Sequence, residues 1–270
     1  MATVTAADAD ALAAAAADLV GQRILQSVAA HGNALVALTG GHTPEPLYER
    51  LADPAHAVGR LIDWARVHVL WGDERYVPPS HPDSNFGMAR RALLSRVPIP
   101  PSQVHRIPTE LPDARAAARE YERVMRSACA EAGRADTRLD VVLLGIGADA
   151  HIASLFPGSP LLEGLAAGAG RRSAPLVAGV WVGQIEAWRV TMTPAALLDA
   201  SAVLVIAAGA GKADAVYQAL AGPLDVARWP AQILREADDR VTWILDEGAA
   251  AKVSAPRSGA AARPPGARRA

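Results

Sequence analysis

Residues 139–160, LDVVLLGIGADAHIASLFPGSP, leave the chain few structural choices. The stretch opens as an apolar run rich in branched residues. It is too short and too unbroken for an amphipathic helix and has the pattern of a strand buried on both faces. The run breaks at Gly145 and Gly147, and Asp149 and His151 follow, two residues apart. A carboxylate is thereby placed to orient an imidazole at the carboxyl end of a central strand, where open α/β sheets bind their ligands. GIGADA also fits a dinucleotide fingerprint with Ala150 in the last glycine position, but that fingerprint needs an acidic residue ~20 positions later. The corresponding stretch is GLAAGAGRR, so a nucleotide site is the weaker reading. A histidine after a strand is more often structural than catalytic; the adjacent carboxylate and the two glycines make His151 a catalytic candidate.

At 270 residues, 51% of them hydrophobic, the chain can bury a large core, as one α/β domain or two small ones. The formal net charge of -1 and the lack of a basic stripe with interleaved aromatics argue against nucleic acid as a partner. Cys129 is the one cysteine, so there is no disulfide, and its helical surroundings read as a packed thiol. The alanine-rich N-terminus lacks a basic leader and carries Asp8, Asp10 and Asp18, unlike a signal peptide. With no uncharged apolar stretch long enough to span a bilayer, the expectation is a soluble, cytoplasmic protein. Lysine occurs only at Lys212 and Lys252, arginine replacing it elsewhere, which draws attention to Lys212.

Along the chain, residues 6–30 have helical spacing and stop at Gly32. A buried strand from Ala34 then runs into Gly40 and Gly41, with Thr43 as expected N-cap and Pro44 as first residue of the next helix. Free N–H groups at such a turn suit an anion, and His42 and Thr43 add side-chain donors. The strand 66–71 empties into Gly72, Asp73, Glu74 and Arg75, and Ser84 is expected to cap a helix from Asn85. VHRIPTE reads as a short edge strand, and residues 113–132 as a long amphipathic helix closed by Gly133. Past Pro160 the Gly- and Ala-rich segment to Arg172 reads as a flexible loop suited to be a flap. A strand over 188–192 carries Arg189, and Pro194 opens a helix ending near Asp199. SAVLVIAAGAGKADAVYQALAG then gives a strand, a glycine turn and a helix holding Lys212. It is no magnesium-dependent phosphate loop, because Ile206 replaces the first glycine and Ala213 the hydroxyl residue. A lysine at a helix start can still hold a phosphate without a metal. A short helix over 230–235 and a last strand over 240–245 complete a single domain, residues 1–248. The tail 249–270 is Ala, Pro, Gly and Arg without apolar periodicity and is expected to be disordered.

Four segments in this order, LTGGHTP, WGDERYVPPSHPDSN, LGIGADAHIASLFPG and RVTMTP with the later AAGAGK, resemble the 6-phosphogluconolactonase family over nearly all of the chain to about residue 248. The resemblance implies an α/β three-layer sandwich with a mainly parallel, doubly wound central sheet, shared with glucosamine-6-phosphate deaminases. It also implies hydrolysis of 6-phospho-D-glucono-1,5-lactone to 6-phosphogluconate in the pentose phosphate pathway. By that resemblance His151 is the general base and Asp149 its partner, while Gly40, Gly41, His42, Thr43 and Lys212 hold the phosphate. Arg75 and Arg189 match arginines that face the substrate, on the phosphate or on the oxyanion; Asp73 and Asn85 are further candidates. The implied partner is a phosphorylated sugar lactone, with no cofactor, metal, nucleic acid or membrane, in a monomer or homodimer.

A lactone is an activated ester, so water, one base and a cationic or N–H oxyanion partner suffice for the chemistry. Related isomerases and deaminases continue the histidine motif as H-I-A-F-N-E-P-G, and Phe156 stands where their glutamate would be. A phenyl ring carries no proton, which favours the lactonase. The other alternative, a non-catalytic sugar-phosphate sensor, would need a DNA-binding module, and the chain before Ala34 reads as one helix. Three positions depart from the family pattern: Ala150 replaces glycine, Ile152 a common threonine and His42 a serine. Ala150 is expected at negative φ, opening a helix through Ile152 to Leu155, with the site intact; a positive φ would instead point to an attenuated catalyst.

Overall fold

The computed structural model describes residues 1–163 and 174–253. Nine strands occur among them: β1 (Ala2–Ala6), β2 (Ala34–Leu38), β3 (Val67–Trp71), β4 (Asp73–Arg75), β5 (Val141–Gly145), β6 (Val177–Val182), β7 (Ala187–Met192), β8 (Val203–Ala207) and β9 (Val241–Asp246). The helices are α1 (Ala9–His31), α2 (Glu45–Leu51), α3 (Asn85–Ala89), α4 (Ala114–Glu131), α5 (Pro194–Asp199), α6 (Ala213–Leu220) and α7 (Glu247–Ala250). Six strands form a parallel sheet in the order β1-β9-β8-β5-β2-β3, flanked by helices in an α/β three-layer arrangement. Every residue of β2, β3 and β8 is buried, and β2 and β8 accordingly read as unbroken apolar runs, while β3 also buries His68.

The sheet is wound in two directions. From β2 the chain moves outward to β3, whereas from β5 it moves through β8 to β9 on the other side. Adjacent β2 and β5 share only the register pairs Val36↔Val141 and Ala37↔Val142, so they part early and leave a crevice at their carboxyl ends.

A second, antiparallel sheet of order β4-β7-β6 stands beside that crevice. Gly72 joins the two sheets. Its N–H donates to Leu38 O at the end of β2 (2.9 Å), and its carbonyl accepts from Met192 N at the end of β7 (2.7 Å).

Helix ends follow local chemistry. Asp8 accepts from Ala11 N and caps α1, which stops at left-handed Gly32. Leu12, Val20 and Ile24 on α1 are buried in the core, contributing roughly 1.5–3 kcal/mol apiece. Asp113 caps α4, whose Ala117, Tyr121, Met125 and Ala128 are buried in one stripe, and α4 packs on β6 and β7.

Several expectations need correction. Residues 2–6 form an edge strand on β9 ahead of α1. VHRIPTE makes only an isolated bridge, Val69↔Val104, because the chain turns away once His105 N has bonded Val69 O. Helix α2 begins at Glu45 with Pro44 at the cap position and no side-chain capping bond, so Thr43 is not its N-cap. The ordered chain runs past residue 248: Asp246 accepts from Ala249 N to cap α7, and Ala249 and Ala250 are buried in the core. Residues 164–173, most of the loop read as a flap, and 254–270 lie outside the described residues. Among those described, no helix is long and apolar enough to cross a membrane.

Ending the chain at Gly248 should therefore lower Tm by several degrees relative to ending it at Val253, as read by thermal circular dichroism. Each kcal/mol lost corresponds to about 2–4 °C in a domain of this size.

Candidate active site

The carboxyl ends of β2, β5 and β8 and the β4–β7 ribbon enclose a cavity of about 350 Å³. It is lined by Gly40, Gly41, His42, Thr43, Asp73, Arg75, Asn85, His151, Arg189 and Lys212, every site residue expected from sequence except Asp149. Asp149 stands behind the lining, on His151. A larger groove of about 780 Å³ runs along α4 past Arg115, Arg119, Arg123 and Arg126. It holds no histidine and lies away from the strand ends, so the smaller cavity is the candidate site.

The His151 turn is closed by Gly147 N donating to His151 O (2.9 Å) and Ala150 N to Gly147 O (3.0 Å). His151 Nδ1 lies 2.6 Å from Asp149 Oδ1, which also accepts the His151 backbone N–H at 3.2 Å. Burial works against the Asp149 charge, but the hydrogen bond and charge of His151 outweigh it and hold that carboxyl below its ordinary range. An ionised carboxylate only accepts, so the imidazole proton is assigned to Nδ1 and the lone pair to Nε2. The ring stacks on Phe156, centroids 4.0 Å apart at 20°. A Cβ on Gly147 would lie 2.1 Å from His151 Nδ1 and 2.3 Å from Asp149 Oδ1, so glycine there makes room for the pair.

Ala150 contradicts its expectation. Its φ is 61°, and Ala153 is also left-handed at 47°. No helix follows; Ile152 and Leu155 form an antiparallel bridge instead. Each alanine in that region costs roughly 1–2 kcal/mol. Tertiary contacts impose the conformation on Ala150, which is fully buried and whose carbonyl accepts from Ala231 N at 3.0 Å. The strain leaves the Asp149–His151 bond in place.

On the ribbon, Asp73 pairs across with Thr191 and Arg75 with Arg189, which puts all four on one face. Burial lowers the Arg189 pKa, and the Arg75 charge lowers it further. Like charges directly opposite one another are unfavourable, so the pair could accommodate an anion between them. Glu74 points the other way, buried, and accepts from Arg75 N, Ser84 Oγ, Asn85 N and Phe86 N. Burial raises its pKa, and those backbone hydrogen bonds oppose the rise. Ser84 caps α3 as expected, accepting from Gly87 N at 3.0 Å. Asn85 is thus fixed with its Nδ2 on the Asp73 carbonyl (2.8 Å).

The Gly40–Gly41 turn bounds the cavity from β2. Gly41 has φ 101°, and a Cβ on Gly40 would meet Asn85 Oδ1 at 1.7 Å. Opposite, Asp246 accepts Gly209 N on both oxygens (2.9 and 2.8 Å) and fixes the turn that ends in Lys212. The cavity therefore joins the His151 imidazole, with its lone pair on Nε2, to a second imidazole at His42, three cations and a glycine turn. That set can activate water beside a phosphorylated ligand.

Sequence reasoning missed Ser154, Thr191 and Asp246. Ser154 Oγ donates to Asp73 Oδ2 at 2.6 Å, and nothing local in HIAS signals a partner 81 residues away. The small sheet went unread as well, so Thr191 had no face assigned. Cys129 is packed, its thiol pushed up to about 11 by burial, and it lies outside the cavity. Among the described residues, no group of three or more His, Cys, Asp or Glu could hold a metal ion.

The family model described as glucosamine-6-phosphate isomerases/6-phosphogluconolactonase matches residues 7–243. A 6-phosphogluconolactonase of Nostoc sp. is 37% identical over 247 residues, covering 92% of this chain and 96% of that protein. One from Mycobacterium tuberculosis is 38% identical over 251 residues, covering 91% and 96%. The solved 6-phosphogluconolactonase of Trypanosoma brucei superposes with a TM-score of 0.78 at 31% identity, covering 94% of this chain and 98% of that one.

Two glycine-alanine exchanges test this turn. Gly147→Ala should abolish the downfield Nδ1 proton resonance of His151 in NMR spectra, because the added methyl displaces the pair. Ala150→Gly should move stability by no more than about 1 kcal/mol: relief of a strain of roughly 1–2 kcal/mol is offset by a lost buried methyl and a freer unfolded chain. Chemical denaturation measures it.

Proposed function

The chain belongs to the family of glucosamine-6-phosphate isomerases and 6-phosphogluconolactonases, and we propose that its cavity works with His151 as general base. It hydrolyses 6-phospho-D-glucono-1,5-lactone to 6-phospho-D-gluconate in the oxidative pentose phosphate pathway. The observation that carries the assignment of roles is the Asp149–His151 bond of 2.6 Å, which leaves Nε2 available in a cavity that also holds Arg75, Arg189 and Lys212.

In this reading Nε2 takes a proton from water while the water oxygen adds to the lactone carbonyl. Asp149 keeps the tautomer and steadies the imidazolium that results. The carbonyl oxygen becomes an oxyanion facing the Arg75–Arg189 pair. The intermediate then collapses, the bond from the carbonyl carbon to the ring oxygen breaks, and the proton returns from His151 to that oxygen. Lys212, the Gly40–Gly41 turn, His42 and Thr43 hold the phosphate. Charge-assisted hydrogen bonds at roughly 1.5–3 kcal/mol each are enough to orient the ring. The two arginines share phosphate and oxyanion between them, and Asp73 and Asn85 complete the wall. We assign the reaction to the cytoplasm, in a monomer or homodimer, with the phospholactone as partner and neither nucleic acid nor membrane involved.

Phe156 bears on the isomerase and deaminase alternative. It stacks on His151 where those enzymes would need a proton-carrying glutamate, and a phenyl ring does not serve.

His151→Ala should lower kcat by about two to four orders of magnitude with the fold retained, after subtraction of spontaneous hydrolysis; near wild-type turnover would remove His151 from the mechanism. Because His151 holds the Asp149 carboxyl below its ordinary range, protonation of that carboxyl should not limit kcat/KM near neutral pH, as a pH–rate profile would show. Lys212→Ala should raise KM for the phospholactone and leave unphosphorylated gluconolactone nearly unaffected; equal losses on both would misplace Lys212. Ala150 stands at positive φ, the case that points to an attenuated catalyst, so Ala150→Gly should raise kcat/KM by about tenfold, ~1.4 kcal/mol. An unchanged kcat/KM would show that the strain does not reach the Asp149–His151 pair.

A further inference from the structure

Ser154 has no part in the mechanism above, yet it is almost wholly buried, and both of its bonds leave the His151 turn for the β4–β7 ribbon. Its Oγ donates to Asp73 Oδ2 at 2.6 Å, and its backbone N–H donates to Thr191 Oγ1 at 3.2 Å. Thr191 is itself fully buried, and its hydroxyl donates on to Met192 O at 3.0 Å. Asp73 and Thr191 are a cross-strand pair, and the next pair on the same face is Arg75 with Arg189. Two bonds from one residue therefore tie the turn that carries the base to the strands that carry the cations.

The turn requires such a hold. Ala150 and Ala153 are both left-handed, and residues in that region persist only where their surroundings over-determine them. On the upstream side, Ala150 O is fixed by Ala231 N. On the downstream side Ser154 directly follows the second strained alanine, so its two bonds set where the turn ends and how the intervening His151 faces the cavity.

We propose that Ser154 is a positioning residue for the hydrolysis, holding the His151 imidazole at a set distance from the Arg75–Arg189 pair. A ring anchored through its phosphate then arrives with its carbonyl carbon at the water on Nε2. The inference rests on the lactonase reading. A serine that merely satisfied a buried carboxylate would affect stability and leave the turnover of folded protein alone. A misplaced base affects kcat, and displacements near 1 Å cost about a hundredfold.

The test compares Ser154→Ala, Thr191→Val, Thr191→Ser and the Ser154→Ala/Thr191→Val pair on the phospholactone, with amide hydrogen exchange over residues 149–154 recorded without substrate. Ser154→Ala and Thr191→Val should each lower kcat about ten- to a hundredfold, with KM within about threefold of wild type, and should speed exchange at least about tenfold. The double variant should be no worse than the poorer single one by more than about threefold, since both release the same turn. Thr191→Ser, which keeps the hydroxyl, should retain wild-type kcat and exchange. Unchanged kcat in folded Ser154→Ala, losses that multiply in the double variant, or unchanged exchange would each overturn the proposal. If Ser154→Ala does not fold, the Val and Ser variants at 191 decide. Failure of the lactonase reading would appear separately, as wild-type protein no faster than spontaneous hydrolysis; the exchange measurement would then still show whether Ser154 holds the turn.

Discussion

Where neighbouring parallel strands part, their backbone N–H and C=O groups lose ladder partners, and everything else in this site depends on how that loss is met. Unpaired buried backbone groups are costly, so each needs a substitute. Two buried tyrosines provide one at each strand end. Tyr48 Oη accepts Thr39 N at 3.0 Å and donates to Thr39 O at 2.8 Å, just past β2. Tyr121 Oη does the same for Trp71, accepting its N–H at 2.7 Å and donating to its carbonyl at 3.0 Å, at the end of β3. Burial pushes both phenols above their ordinary range, so they stay neutral and can act as donor and acceptor together. With those ends fixed, the next residues, Gly40 and Gly72, begin the site from rigid points.

The small sheet is the second consequence. Gly72 passes the chain from β3 to β4 while bonded to β2 on one side and β7 on the other, and β4 is three residues long. Those three divide their work by the strand period: Asp73 and Arg75 face the cavity, and Glu74 faces back to bind the start of α3. The same carboxylate that anchors the ribbon to α3 therefore positions Asn85 beside Asp73 at the cavity wall. Placing two guanidinium groups across from each other is unfavourable in isolation. The surrounding packing sustains that arrangement, and under the proposed function a bound anion would relieve it.

Much of this was legible. Buried parallel strands read as apolar runs ending in glycine, which located β2, β5 and β8; the carboxyl ends of those strands, with Asp149 beside His151, located the cavity. Ser84 was legible because a cap is a local interaction. What escaped was held by distant contacts. β1 is five residues whose only ladder partner among the described residues, β9, lies about 240 positions away. β4 is too short for a periodicity, and its pairing with β7 spans more than a hundred residues. Ala249 and Ala250 resemble residues 254–270 in composition, so their packing against the core could not be read locally. Alanine favours helix, and that local preference suggested a negative φ at Ala150; the contact of its carbonyl with Ala231 N overrides it.

That last case separates two reasons for glycine that sequence motifs merge. At Gly147 and Gly40 the constraint is space, since a Cβ would overlap the Asp149–His151 pair at one and Asn85 Oδ1 at the other. No side chain fits at 2.1 or 1.7 Å without displacing a group that lines or supports the cavity. At Gly41 and Ala150 the constraint is a positive φ, which an alanine meets at a cost of roughly 1–2 kcal/mol. The first kind of position is closed to substitution while the site is used. The second is open wherever buried contacts, here around a fully buried methyl, offset the strain. An alanine is tolerated at 150 and excluded at 147 because a steric overlap cannot be spread over the structure, whereas a strain of roughly 1–2 kcal/mol can.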